Sequence, residues 1–369
     1  LVAAVIAVIS LSILYVRAGN SKDLSLTKKR KRKLLAIVVS SVAMTIAMII
    51  VALAIGAKCS VHEAISSLIS LIMNGGTVQN AVERQIYYYS LPRVIVAVAV
   101  GIGLAISGCI YQAVIRNPLV DSYITGVSSG AGFAAIMAIS TGTLFGLSIG
   151  SSFVVPIAAI LGGICALMLT MTIAEKAGGS STNYVLAGVV VGFLFAALQT
   201  LMIVFSGERL RHAVMWLYGS FMDVRWPEVW LAVIPIMLMS FMALIWAREL
   251  NLVLLGEDQA KQAGLNVKRF NRSMMIFASV IAAVCVAFVG IIGFVGLVIP
   301  HLCRMVLGGD HRLVLPASIA IGGFTMVAAD LVARSALHSS ELPVGAITAL
   351  IGVPLFAFIL MKKGRMYDG

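Results

Sequence analysis

From Ser122 to Ala174 the chain runs 53 residues without an Asp, Glu, Lys or Arg. Soluble domains carry charge at about a quarter of their positions. A helix crosses the hydrocarbon core of a bilayer in about 20 residues, so this run is too long for one crossing. Gly142, Gly146 and Gly150 mark an outer hairpin that splits it into two. Further apolar runs follow the same scale: Leu34–Ala57, Val94–Ile115, Tyr184–Phe205, Val229–Ala247, Ser273–Gly290, Leu315–Arg334 and Val344–Met361. With a descending segment inside Gly290–Arg312 the count from Leu34 to Met361 is ten crossings. Lipid offers no partner to backbone N–H and C=O groups, so spans of this length are helices. The expected fold is an all-α polytopic membrane protein of ten core helices, preceded by an extra N-terminal apolar helix at Leu1–Val16. The domain reading is 1–27 as accessory helix and linker, and 28–369 as one membrane domain.

Charge fixes the orientation. Only 11% of the 369 residues are charged, with a net charge of +12. The basic residues cluster between the apolar runs, beginning with K-K-R-K-R-K at Lys28–Lys33. Basic clusters flanking a span stay in the cytoplasm, which puts both ends of the ten-crossing core inside. No stacking aromatics are interleaved with them, so a nucleic-acid surface is excluded. The five cysteines are scattered, mostly within apolar runs, and read as free thiols. His301 and His311 lie on different elements without acidic or thiol partners at ligand spacing, so no metal site is expected. Nor is there a nucleophile–base arrangement or a phosphate-binding G-x-x-x-x-G-K-[ST] loop.

Three stretches break the apolar pattern. Arg248–Arg272 interrupts it on the inner side, where Gly256 and Gly264 divide two short amphipathic helices. Leu252, Leu254, Leu255, Ala260, Ala263 and Leu265 supply the apolar positions. The residues alone leave two readings open: a docking element for another protein, or helices resting on headgroups. Ser206–Glu228 is its outer counterpart. Ala213–Gly219 is too short to cross and reads as a half-helix, either at a pore rim or anchored at the interface by Trp216 and Tyr218. In Gly290–Arg312 three glycines precede the helix, Pro300 is expected to interrupt it, and His301 and Arg304 share a face. Outside, Lys58, Arg84, Arg93, Arg209, Arg211 and Arg334 are more basic than an idle exterior requires, which suggests an acidic partner. An ion-coupled secondary transporter or exporter acting without an ATPase is the alternative class. It wants an ionisable group near the midplane, whereas Asp330 and Glu341 are expected near the outer end and Asp121 near the inner.

Ordered along the chain are L-P-R at Leu91–Arg93, G-x-x-Q-x-x-x-R-N-P-L at Gly108–Leu119, L-A-G at Leu186–Gly188 and W-L-Y-G-S at Trp216–Ser220. L-G-x-x-x-A-x-x-x-G at Leu255–Gly264, G-F-V-G-L-V-x-P-H at Gly293–His301, G-x-D-H-R at Gly308–Arg312 and E-L-P-V-G at Glu341–Gly345 follow. Together, over about Lys33–Arg365, they resemble the permease subunit of type II ABC importers, the group that carries iron–siderophore, haem and cobalamin.

The resemblance implies a prokaryotic cytoplasmic-membrane permease without cofactor or catalytic site, working as two copies with cytoplasmic ATPase subunits and an extracytoplasmic binding protein. Its cargo is a bulky metal chelate; ferric siderophore, the commonest in the group, is the expected one, with haem or cobalamin as the others. Coupling helices fall at about 250–266, with Leu255, Gly256, Ala260, Ala263 and Gly264 facing the ATPase. Ala260 and Ala263 are expected on one face, seated in an ATPase groove. Arg93 and Arg334 match arginines that pair with acids on the binding protein. The group often has a further basic residue where this chain has Ser90, and Arg84, Arg209 or Arg211 are candidates to replace it. The pathway is lined by the crossing at Tyr184–Phe205 and the half-helix, with Trp216, Gly219 and Ser220 at its gate.

Overall fold

The computed structural model describes residues 28–144, 147–148, 153–337 and 341–364. The N-terminal run Leu1–Val16, Gly146, Gly150 and Ser339–Ser340 lie outside the described residues.

Helix α1 (Lys28–Ala57) runs outward, and α2 (Val61–Met73) and α3 (Ala81–Gln85) lie on the outer side. A π-helical turn over Ile86–Ser90 leads into α4 (Leu91–Val114), which runs inward. Then come α5 (Val127–Thr141), a two-stranded hairpin of β1 (Thr143–Leu144) and β2 (Leu147–Ser148), α6 (Val154–Lys176) and α7 (Ser181–Val204). The half-helix is α8 (Leu210–Leu217), followed by α9 (Trp226–Ile245). The inner polar stretch forms α10 (Ala247–Leu255) and α11 (Glu257–Gln262). The chain finishes with α12 (Val267–Val289), α13 (Val295–Leu307), α14 (His311–Ser335) and α15 (Val344–Gly364). Among the described residues, seven helices are long and apolar enough to cross alone. The shorter α5, α13 and the apolar part of α15 complete the ten.

Helix α4 is the centre. Nearly all of its apolar window is buried, against 17% for α1 at the periphery. Its glycines explain how so many helices reach it. A Cβ on Gly101 would stand 2.2 Å from the Gly322 carbonyl oxygen of α14, and one on Gly103 2.6 Å from Cys285 Sγ of α12. On Gly108 it would stand 1.9 Å from the Gly296 carbonyl oxygen of α13. Between helices in lipid there is no hydrophobic drive, and close backbone approach supplies the packing instead.

Helices α5 and α13 hold 15 and 13 residues. At 1.5 Å per residue they span only about 20 Å of a core of about 30 Å. The remaining depth is crossed by non-helical chain, residues 117–126 before α5 and 290–294 before α13. The order long, short, long thus occurs twice with opposite direction, α4 to α6 and α12 to α14. Irregular backbone in a membrane survives only when its polar groups are met. Here Gln112 Nε2 donates to the carbonyls of Val120, Gly296 and Leu297 at 3.1–3.2 Å. Ser122 Oγ donates to the Leu104 carbonyl at 2.9 Å, and Tyr123 Oη to that of Ile292 at 3.1 Å.

Two expectations change. Helix α13 is continuous through Pro300. Proline removes the N–H that the Gly296 carbonyl would have accepted, and Gln112 of α4 supplies a donor in its place. Asp121 is also not at the inner end. Its neighbour Ser122 bonds to Leu104, midway along α4, so the re-entrant chain carries Asp121 back into the span.

Candidate functional site

At the outer end of the bundle, Arg93 in the first turn of α4 meets Asp330 of α14, its Nη2 2.7 Å from Oδ1. Its guanidinium also reaches Glu341 at 2.8 Å. Arg334, one turn beyond Asp330, donates to the other carboxylate oxygen at 2.7 Å and to the Ala52 carbonyl of α1 at 3.0 Å. The arginine side chains are 10% and 5% exposed, and Asp330 is 0% exposed. Two cations and two anions therefore neutralise one another inside the chain. Arg93 and Arg334, expected to pair with acids on a binding protein, here meet acids of their own chain. The physical reason is Asp330: a buried carboxylate without both would carry a desolvation penalty of several kcal/mol, of order 3–5 by the cost of breaking such pairs. Ser90 is buried here as well, and a Cβ on Gly56 of α1 would stand 2.3 Å from its Oγ, so the helix contact leaves no space for a long basic side chain. Of the candidate substitutes, Arg209 caps the C-terminal end of α5 through the Ile139 and Ser140 carbonyls. Arg84 and Arg211 are exposed.

The half-helix ends in a tightly held corner. Gly219 has φ +76°, and a Cβ there would stand 2.7 Å from Ile292 Cγ1 and 2.8 Å from the Ile291 carbonyl oxygen. Gly290 meets the Trp216 carbonyl oxygen in the same way. Ser220 N donates to the Val289 carbonyl at 2.8 Å, while Val344 N and Gly345 N donate to those of Gly219 and Tyr218 at 2.9 and 3.1 Å. Trp216 packs against Ala131, Ala135 and Val286. The W-L-Y-G-S stretch is thus stitched to the end of α12 and the start of α15. Beside it, α7 leaves Phe193 and Val204 each 74% exposed.

On the inner side α10 and α11 meet at Gly256, whose φ of +117° admits the turn at little steric cost. Leu255 is 61% exposed. Ala263 and Gly264 are exposed too. Ala260 is not: it is 0% exposed, turned into its own chain. The expectation that Ala260 and Ala263 form one outward face therefore fails. With a single short turn, Ala260 becomes the buried contact that seats α11, and Leu254, Leu255 and Ala263 are the apolar groups left outward. Helix α11, the α6–α7 turn and α12 enclose a cleft of about 430 Å³ lined by Ser181, Tyr184, Lys261, Lys268, Asn271 and Arg272.

Two motifs singled out in the sequence converge on this stretch. Arg116 of R-N-P-L reaches Glu257 at 3.2 Å. From G-x-D-H-R, Asp310 accepts from Asn251 Nδ2 at 2.8 Å, and the His311 backbone N donates to Asn251 Oδ1 at 2.8 Å. His311 Nδ1 lies 2.9 Å from the same oxygen. Asp310 also pairs with Arg312 at 2.7 Å. Burial raises the Asp310 carboxyl, but the Arg312 guanidinium and the Asn251 amide outweigh it and hold its pKa below the usual range. Sequence reading missed Asn251 and Gln112 as structural centres. Gln112 stood inside a quoted motif, whereas nothing around Asn251 signals its partner 59 residues on. Arg304, expected beside His301, bonds to Gln112, and His301 lies 6.0 Å from the Phe356 ring.

A ten-crossing bundle with two helices broken inside the membrane, a stitched outer corner and a short helical pair on the cytoplasmic face defines a multi-pass membrane permease. Residues 43–362 match the FecCD transport family. The chain belongs to that family, the permease subunits of type II ABC importers. The cobalamin import system permease protein BtuC of Halobacterium salinarum is 41% identical over 274 residues, 74% of this chain and 72% of that protein. The vitamin B12 import system permease protein BtuC of Salmonella typhi is 37% identical over 292 residues, 77% and 85% of the two chains. A solved structure of an inward-facing, metal-chelate type ABC transporter aligns with TM-score 0.77 at 32% identity, over 89% of this chain and 99% of that one. The chain is therefore a cytoplasmic-membrane transport subunit and not an enzyme, ATP hydrolysis belonging to a separate subunit.

Proposed function

We propose that two copies of this chain form one pathway through which a bulky metal chelate, cobalamin foremost, passes from a binding protein into the cytoplasm. The observation that carries the cargo reading is the 41% identity to a permease named for cobalamin. Ferric siderophore is the competing cargo, favoured by its commonness in the resembled group and compatible with a neighbour of metal-chelate type. In this reading α7 and the corner Trp216–Gly219–Ser220 border the pathway. The face of Leu254, Leu255, Ala263 and Gly264 docks the ATPase, with Gly256 as its turn and Ala260 as its seat. Binding-protein docking through Arg93 and Arg334 proceeds by exchange: a partner carboxylate displaces Glu341, whose side chain is 32% exposed, while Asp330 stays in place. Arg84 and Arg211 add steering charge.

The test is uptake into liposomes holding the permease and its ATPase, with binding protein outside and ATP inside. Labelled cobalamin should accumulate, and ferric siderophore and haem should not. Accumulation of a ferric siderophore alone would transfer the cargo assignment to it. Uptake that persists without the ATPase and follows a proton gradient would reinstate the ion-coupled class.

A further inference from the structure

Besides the apolar packing of Leu250, Val253 and Ala260, two polar ties of unequal strength hold the cytoplasmic pair α10–α11 to the membrane core. The Arg116–Glu257 contact is 3.2 Å long between side chains 35% and 52% exposed. Pairs of that kind contribute about 0–1 kcal/mol. The tie at Asn251 differs in kind. Its amide donates to Asp310 at 2.8 Å, and its carbonyl oxygen faces both the backbone N and Nδ1 of His311 at 2.8 and 2.9 Å. His311 is fully buried. Asp310 is also the N-cap of α14, accepting from Arg312 N at 3.0 Å. One side chain of α10 thus grips the first turn of α14 through a donor, an acceptor and a capping carboxylate. By contrast, a Cβ placed on Gly256, between α10 and α11, would meet open space, so the turn itself is loosely packed.

Helix α14 leads to the far side. It crosses against α4 at Gly322, and its outer end carries Asp330 and Arg334. A displacement of α10 that moved α14 would therefore reach the network that holds Arg93 and Glu341.

We infer that Asn251 is a positioning residue: it locks the ATPase-facing helix α10 to the first turn of α14, so that ATPase movement is passed across the membrane instead of being absorbed at Gly256. This rests on the importer reading. It assigns to G-x-D-H-R the task of receiving the cytoplasmic stroke, and makes Asp310 and His311 its receiving groups.

The test uses the full permease–ATPase complex in liposomes with a spin label on cysteine at either Asp258, exposed on α11, or Val332, exposed near the outer end of α14. The distance between the two copies' labels is read with and without trapped ATP. In the otherwise unaltered protein both distances should change. With Asn251→Ala the Asp258 label should still respond, the Val332 label should not, and transport per ATP should fall about tenfold, the scale of a typical coupling between sites. Asn251→Asp puts a carboxylate against Asp310 and should behave alike. The Asp258 response retained in both variants separates lost transmission from lost folding. An unchanged Val332 response in Asn251→Ala overturns the inference. If neither label responds to ATP in the unaltered protein, the importer reading fails and takes the inference with it.

Discussion

Asp330 accepts from two arginines at once, and among the described residues neither arginine pairs with another fully buried acid. Asp330→Ala should therefore cost about 3–5 kcal/mol, because it leaves buried cations uncompensated. Glu341→Gln, at a partly exposed position, should cost about 1 kcal/mol or less. Thermal unfolding of the detergent-purified protein measures both, and equal losses would mean that the network is not centred on Asp330. Gly219→Ala combines a left-handed φ with overlap at 2.7–2.8 Å, so a loss of about 1–3 kcal/mol is expected for a strained position of this kind. Ser220→Ala keeps the backbone bond to Val289 and should be mild; comparable losses in the two would remove the strain argument. Asp310 has a pH signature. Its pKa is lowered in the folded chain, so its stabilising contribution is fully present above the ordinary aspartate value of about 3.9. It is lost as pH falls through the lower folded value. The unfolding temperature difference between the native protein and Asp310→Asn should stay constant from pH 8 to about 5 and vanish only in stronger acid. A difference that shrinks between pH 8 and 6 would contradict this.

At the scale of elements, the short inner helix makes the most direct prediction. Ala260 is enclosed by its own chain, so Ala260→Trp should disturb the permease itself, seen as lower yield and earlier unfolding. Ala263→Trp faces outward and should leave the permease stable while weakening its hold on the ATPase in a pull-down. The opposite pattern would return Ala260 to the docking face. The sequence had placed both alanines together because three-residue spacing puts side chains on neighbouring positions of a long helix. In a helix of six residues the boundary between seated and exposed faces falls between them. Helices α5 and α13 were legible as crossings but not as short ones. Hydropathy averages over windows longer than the break, so the seven residues V-D-S-Y-I-T-G at Val120–Gly126, beside a long apolar run, are not resolved as an interruption. What breaks the helix there is the supply of donors from Gln112, Ser122 and Tyr123, which lie on other elements or act across them.

For the molecule as a whole, the ten crossings and their direction could be read from apolar length and the placement of Lys and Arg, because the bilayer imposes both. The inner polar pair and the outer half-helix were legible as interruptions of that pattern. Pairings across the bundle were not: Arg93 with Asp330 spans 237 positions, and an arginine near a membrane surface reads equally well as a docking charge or a structural one. In the proposed importer this chain carries no energy source of its own and moves cargo only when an ATPase works upon it. Cobalamin uptake into sealed liposomes tests this most directly, with permease, ATPase and binding protein combined or each left out in turn. Accumulation should require all three and internal ATP, and should be untouched when the proton gradient is collapsed. Uptake by the permease alone, or uptake that stops with the gradient while ATP remains, would contradict the account.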